Sequence, residues 1–370
     1  MNICFSFLGG EMTRMRRIHD VLRCLFLAWT ASLLMFSAAA AGEYRDVTPG
    51  YKLSFPSDFY YRKDFRMQWW YFTGHLRDEK GREYGYELTF FVVGIQRKKF
   101  KSRFGVNNIY VSHFAISDVS ADKFFFSERS DSGAYGFAGA DADQLRVWVD
   151  NNVLDGTVEK VHLTAHAGKN ALDLLLVPEK PLILNGENGY SRKSEESPLI
   201  ASYYFSYPGM STRGSLTVGG DTRTVKGDSW FDREMSSRGL AKNEAGWDWF
   251  SIQLGDGREI MLYNLRRRNG SVDPFSAGTF VFRDGTYRHL SADEFKVTVV
   301  DRYRSSKTGI RYPSKWRILI PSEKISLTII PLMEDQELTG SPSTGPSYWE
   351  GTCRVEGTEK GRAYVELTGY

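Results

Sequence analysis

A chain of 370 residues with a formal net charge of +3 and 14% aromatic side chains is long enough for two domains of ordinary size. A near-neutral balance excludes any global electrostatic case for nucleic-acid binding. Cys4, Cys24 and Cys353 are too few for a disulfide framework.

The first element reads as a leader. Arg14, Arg16 and Arg17 form a basic region, residues 21–37 are apolar, and Ala38 to Ala41 supply small residues for cleavage. That pattern is a secretory signal peptide over residues 1–41, with Met1, Met12 or Met15 as its start. An uncleaved membrane anchor is the alternative, although the apolar stretch is marginal for a span. Residues 1–41 carry four Arg, Glu11 and Asp20, a net of +2, so the mature chain falls from +3 to +1. The expected location is the periplasm or the exterior, and Cys353 is then the single remaining cysteine.

After the leader, strand-like runs dominate. In QWWYFTGHL (68–76), alternation along an extended chain sends Gln68, Trp70, Phe72 and Leu76 one way, and Trp69, Tyr71, Thr73 and His75 the other. Both faces carry aromatic bulk, which suits a strand with a core on one side and a cavity or second packed element on the other. Further strands are expected at 84–95, 108–119, 144–150, 161–167, 171–178, 215–220, 259–267, 278–285, 295–303, 315–321, 325–332 and 361–370. Turn pairs at Asp155-Gly156, Asn185-Gly186, Asp256-Gly257, Asn269-Gly270 and Asp284-Gly285 separate them. Residues 291–295 could open one helical turn. The basic run QRKKFKSR (96–103) is a solvated hairpin loop or a contact for anionic lipid headgroups. NGENGYSRKSEESP (185–198) reads as a long polar loop. Short strands at this spacing imply an all-β sandwich or barrel.

The chain also repeats. WWYFTGHLRDEKGRE (69–83) lines up with WDWFSIQLGDGRE (247–259), matching Trp69 with Trp247, Phe72 with Phe250, Leu76 with Leu254 and Asp78 with Asp256. Two related β-domains are the economical explanation, with residues 42–235 in the first and 236–370 in the second.

The densest candidate for chemistry is GDSWFDREMSS (227–237). Extended, it places Asp228, Trp230, Asp232 and Glu234 on one face, and Ser229, Phe231 and Arg233 on the other. A carboxyl kept protonated beside aromatic rings could serve as a general acid. Otherwise these acids pair with Arg233, Arg238 or other arginines. GWDWF (246–250) sets Trp247 and Trp249 on one face and Asp248 with Phe250 on the other. His113 is a strand histidine, either a satisfied core residue or a proton carrier. His162 and His166 share a strand face but lie about 13 Å apart at strand rise, too far for one metal ion. There is no HExxH, CxxC, Walker or GxSxG motif. No metal or cofactor is expected.

QWWYFTGHL, SHFAISD, GYSRK…ASYYFS, GDSWFDRE, GWDWFSIQLGDGREIMLYNLR and YWEG…ELTGY together resemble the AttH/carotenoid 1,2-hydratase (CrtC)-like family, also labelled predicted secreted hydrolases. The likeness runs from about residue 45 to 370. It implies two tandem lipocalin-like β-barrel domains. In its hydratase branch an acid protonates an alkene, and aromatic faces stabilise the carbocation. The family's DREW-like stretch falls on Asp232, Arg233, Glu234 and Met235. The hydratase branch has a His and a Trp where this chain has Arg233 and Met235. Arginine cannot shuttle a proton near neutral pH and Met has no aromatic face, so carotenoid hydration is disfavoured. The resemblance also implies a membrane partner of the ABC-transporter kind.

Three functions follow. The first, taken as the main reading, is a periplasmic module holding an apolar lipid or isoprenoid. The second is a hydratase or hydrolase acting on such a molecule. Its catalytic candidates are Asp232, Glu234 and His113, and Trp69, Trp70, Trp230, Trp247, Asp248, Trp249 and Tyr263 line the ligand site. The third is an adaptor with no ligand.

Overall fold

The structure is a computed structural model that describes residues 44–97, 106–339 and 347–370. The leader and most of the basic run 96–103 lie outside the described residues.

Two antiparallel sheets account for almost everything. The first contains β1 (Met67–Asp78), β2 (Glu83–Gly94), β3 (Asn108–Asp118), β4 (Lys123–Asp131), β5 (Ala138–Ala140), β6 (Val147–Val149) and β7 (Asn152–Thr157). It continues through β8 (Lys160–Ala167), β9 (Asn170–Pro178), β10 (Ile183–Leu184), β11 (Tyr190–Arg192), β12 (Ala201–Val218) and β13 (Asp221–Ser236). Its order is β4-β3-β2-β1-β13-β12-β9-β8-β7-β6-β5, with β10 and β11 also against β12. The sheet curls into a nearly closed barrel. Across the remaining seam, Asn152 Nδ2 donates to Ser112 Oγ at 2.9 Å and Arg129 Nη2 to the His166 carbonyl at 2.7 Å.

The second sheet contains β14 (Glu244–Leu254), β15 (Glu259–Arg267), β16 (Ala277–Val281), β17 (Tyr287–Ser291), β18 (Lys296–Arg304), β19 (Arg311–Ile320), β20 (Ile325–Pro331), β21 (Glu337–Leu338), β22 (Tyr348–Gly357) and β23 (Gly361–Leu367). Its order is β17-β16-β15-β14-β23-β22-β20-β19-β18, with β21 on β22. It forms a half-barrel, so the fold is all-β with two tandem lipocalin-like units.

Side-chain alternation decides what each sheet buries. Trp70, Phe72 and Leu76 of β1, with Tyr86, Leu88 and Phe90 of β2 and Phe231 of β13, fill the first barrel. Phe72 and Phe231 stack at 4.6 Å. Phe250, Trp316, Ile318 and Trp349 build a separate core in the second sheet. The repeated hairpins close alike. Asp78 takes the Nε of Arg82, and Asp256 that of Arg258, each at 2.7 Å.

Three local readings differ from the sequence expectation. Asp155-Gly156 lies inside β7, where Gly156 takes φ +112° beneath the Lys160 carbonyl. Residues 291–295 form a hydrogen-bonded turn, the Glu294 carboxyl accepting from Ser291, because β18 begins at Lys296. The strand expected at 215–220 is the end of an 18-residue strand, β12, that bulges between Tyr207 and Met210.

Candidate active site

The outward face of the first barrel packs on the outward face of the half-barrel, and every candidate except Trp70 and Asp248 lies in that layer. In β1, Trp69 and Tyr71 join a cluster with Tyr204, Trp230, Trp247, Trp249, Met261, Tyr263 and Leu265. The same alternation turns Trp70 into the first barrel and Asp248 into the second. Trp70 there carries the Arg233 guanidinium 3.9 Å from its ring. Asp248 accepts from Arg266 Nε and the Tyr370 hydroxyl, each at 2.8 Å. Neither joins the other candidates.

Strand register lines the layer up in rows. On the first sheet, Ser206, Asp232, Tyr71, Thr89, His113 and Glu128 face one another across successive strands. On the second, Ala277, Tyr263, Trp249, Glu366 and Glu350 do the same. The rows meet at Tyr71. Its ring lies edge-on to Trp249 at 5.1 Å and its hydroxyl donates to Glu350.

Asp232 is the best-defined acid. It is 3% exposed. Oδ1 accepts from the Trp230 indole at 2.7 Å and from Ser206, and Oδ2 accepts from the Tyr204 hydroxyl at 2.6 Å. No arginine or lysine among the described residues forms an ion pair with it. Burial pushes its carboxyl up to about 7, against the three hydrogen bonds that favour the anion. Three of roughly four lone-pair directions are occupied, leaving one for a proton.

Glu234, two residues on, differs. It accepts from the Ser202 hydroxyl and forms an ion pair with Lys193 Nζ at 3.3 Å. Lys193 also sits 4.2 Å from the Tyr263 ring centroid and 4.8 Å from that of Tyr204. Burial opposes its charge, but Glu234 and the phenol of Tyr263 hold its ammonium above the usual range. The segment 185–198 is therefore more than a polar loop, because it delivers Lys193 to the layer.

His113 Nδ1 lies 2.6 Å from the Tyr348 hydroxyl, and Nε2 lies 3.1 Å from Glu128. It bridges the sheets at the far end of the row from Ser206. Asp228, grouped by sequence with Asp232, is exposed midway along β13, opposite His75 and Ser211.

Sequence reasoning missed a second group of acids. Glu87 and Glu350 are fully buried, and Glu366 stands between Trp249 and Glu350. Burial raises all three, Glu87 to about 8 and Glu366 to about 7. Tyr71, Tyr348 and Tyr364 surround them, their phenols raised by burial and so kept as hydrogen-bond donors. Each of these glutamates is the one acid in a short, largely apolar and aromatic stretch: YELTF, YWEG and YVELTG. That was the available signal. Two surface hollows, of about 720 and 450 Å³, are lined by other residues, around Tyr303 and Lys307 and around Tyr110 and Tyr135. No group of His, Cys, Asp and Glu among the described residues is arranged to hold a metal ion.

Aromatic walls with protonated carboxyls can donate a proton to an apolar molecule and recover it at neutral pH. A protein from Nitrosomonas europaea described as a putative AttH has the same fold. It is 33% identical at a TM-score of 0.81, over 88% of this chain and 99% of its own. Kievitone hydratase from Nectria haematococca shares the fold at 15% identity and a TM-score of 0.66, over 88% of this chain and 97% of its own. The dehydratase asqC of Emericella nidulans is 23% identical over 285 residues, 71% of this chain and 77% of its own. Residues 46–370 match the AttH-like family, and the chain belongs to it.

Proposed function

We propose that this protein adds water to, or removes it from, an apolar unsaturated molecule held between the two sheets, with Asp232 as the acid that handles the C–H proton. One observation carries the reading. A carboxyl almost without exposure is held by three neutral donors among tryptophans and tyrosines and makes no ion pair with any described residue, the nearby Lys193 ammonium being paired with Glu234. A carrier whose only task is to hold a lipid would gain nothing from such a group, because burying an unpaired acid costs stability. The aromatic faces of Trp230 and Trp249 suit a developing carbocation. A hydratase that shares this fold and a dehydratase similar in sequence support the same reaction class. The sequence favoured a pure binding module, and the unpaired acid moves the balance to its enzyme alternative.

The test is chemical. Wild type and Asp232→Asn are incubated in D2O with extracted apolar lipids and isoprenoids, and products are read by mass spectrometry. A species changed by one water and carrying carbon-bound deuterium, made only by wild type, supports the reading. A molecule retained unchanged by both proteins overturns it in favour of a binding module.

A further inference from the structure

The described residues contain ten buried side-chain polar atoms with no hydrogen-bond partner, and five lie in one patch: Thr73 Oγ1, both carboxyl oxygens of Glu87, Thr89 Oγ1 and the Tyr364 hydroxyl. Native proteins leave few such atoms, and each calls for an explanation. All four residues are at most 1% exposed. Thr73 and Glu87 face each other across β1 and β2, and Thr89 lies beside Glu87 on the same face. From the opposite sheet, the Tyr364 ring stands 6.3 Å from that of His75, two residues along from Thr73. Unlike Asp232, whose oxygens accept three hydrogen bonds, the Glu87 carboxyl has at most the Thr89 hydroxyl to engage it, so this patch has donors and acceptors to spare.

We propose that Thr73, Glu87, Thr89 and Tyr364 form the polar end of the substrate pocket, where they hold the oxygen of the water added or the hydroxyl removed, with Glu87 as a second catalytic residue. This rests on the Asp232 reading and extends it to a substrate class, an apolar alcohol or its alkene. In dehydration the Glu87 carboxyl gives its proton to the hydroxyl, the C–O bond breaks and water leaves. The Asp232 carboxylate takes a proton from the adjacent carbon, and the C–H electron pair becomes the C=C bond. The proton on Asp232 then returns to Glu87 through solvent. Hydration runs the same steps in reverse. Burial keeps the Glu87 proton on near neutrality, as the acid of the dehydration requires. Strand register sets Tyr71 between Asp232 and Thr89, with the Thr73–Glu87 pair two residues further along β1 on the same face.

The probes are farnesol and farnesene, an alcohol and the alkene it becomes on losing water, titrated against the mature chain by quenching of its tryptophan fluorescence. Wild type should bind farnesol about tenfold more tightly than farnesene, the effect of one or two hydrogen bonds. Thr73→Val and Glu87→Gln should each remove most of that preference, while Asp232→Asn keeps it. The carboxyl infrared band of wild type, absent in Glu87→Gln, should shift on adding farnesol but not farnesene. This wild-type measurement decides the matter if Glu87→Gln does not fold. Equal affinity for both probes, or a preference untouched by Thr73→Val and Glu87→Gln, overturns the polar end while leaving Asp232-dependent turnover to stand. Failure to bind either probe, with no Asp232-dependent product, overturns both readings.

Discussion

The Tyr204 hydroxyl donates to Asp232 Oδ2 at 2.6 Å and accepts from the Trp249 indole N–H at 3.1 Å, so one phenol ties the acid of the first sheet to the second. This bond favours the ionised carboxyl. Tyr204→Phe should therefore raise the Asp232 pKa, move the alkaline limb of the pH–rate profile upward, and cost about 1 kcal/mol of stability. A limb that stays in place would show that Tyr204 does not tune the reacting acid.

Asp232→Asn keeps the side chain's shape and removes its proton chemistry. Turnover should fall by about 10²–10⁴-fold, with the circular dichroism spectrum unchanged. Residual activity within threefold of wild type would remove Asp232 from the mechanism. In wild type, the hydration rate should decline as pH rises through about 7, where Asp232 loses its proton.

Stability should have its own pH dependence. Asp232, Glu366 and Glu87 keep their protons to about 7, 7 and 8 in the folded chain, against 3.8 for a free Asp and 4.5 for a free Glu. Across that window the folded state binds more protons than the unfolded state, so raising the pH favours unfolding. Their contribution is complete below about pH 4 and disappears as pH passes 7 to 8. The melting temperature should fall between pH 5 and 9, and less steeply in Glu87→Gln. A melting temperature that rises over this range would contradict the argument.

Lys193 is the cation paired with Glu234 in the layer. Lys193→Met should cost about 2 kcal/mol, less than the loss of a fully buried pair because both side chains retain some water. Adding Glu234→Gln should restore part of the loss. Additive losses in thermal denaturation would mean that the pair contributes nothing.

Arg233 serves the first barrel. Nη1 reaches the Glu234 carbonyl at 2.8 Å, and Nη2 reaches the Tyr60 carbonyl at 2.9 Å and Gln68 Oε1 at 2.8 Å. A lysine lacks this fork and cannot stack as flatly on Trp70. Arg233→Lys should lose about 2–4 kcal/mol in urea unfolding. A variant as stable as wild type would show that the fork is dispensable.

Much of this was legible from local pattern. Alternation in QWWYFTGHL separates Trp70 and Phe72 from Trp69 and Tyr71, and the structure uses that division, core on one side and second sheet on the other. The Trp69/Trp247 repeat corresponds to the hairpins β1–β2 and β14–β15. The same alternation sets Trp70 and Asp248 on the faces opposite Trp69 and Trp249. Tyr71 with Glu350, and Thr352 with His75, lie 279 and 277 residues apart. No local periodicity encodes which outward faces meet. Glu87, Glu350 and Glu366 sit in ordinary strand sequences, and only the pairing of the sheets turns three isolated acids into one group.

Each sheet has an apolar core of its own, so the titratable layer between them is not the principal support of either. The apolar cores and the buried titratable groups of the layer thereby lie on opposite faces of the same strands. A lineage can exchange the side chains on one face to suit a new molecule while every second residue preserves the architecture. Either core can keep its packing while the layer between the sheets is re-lined.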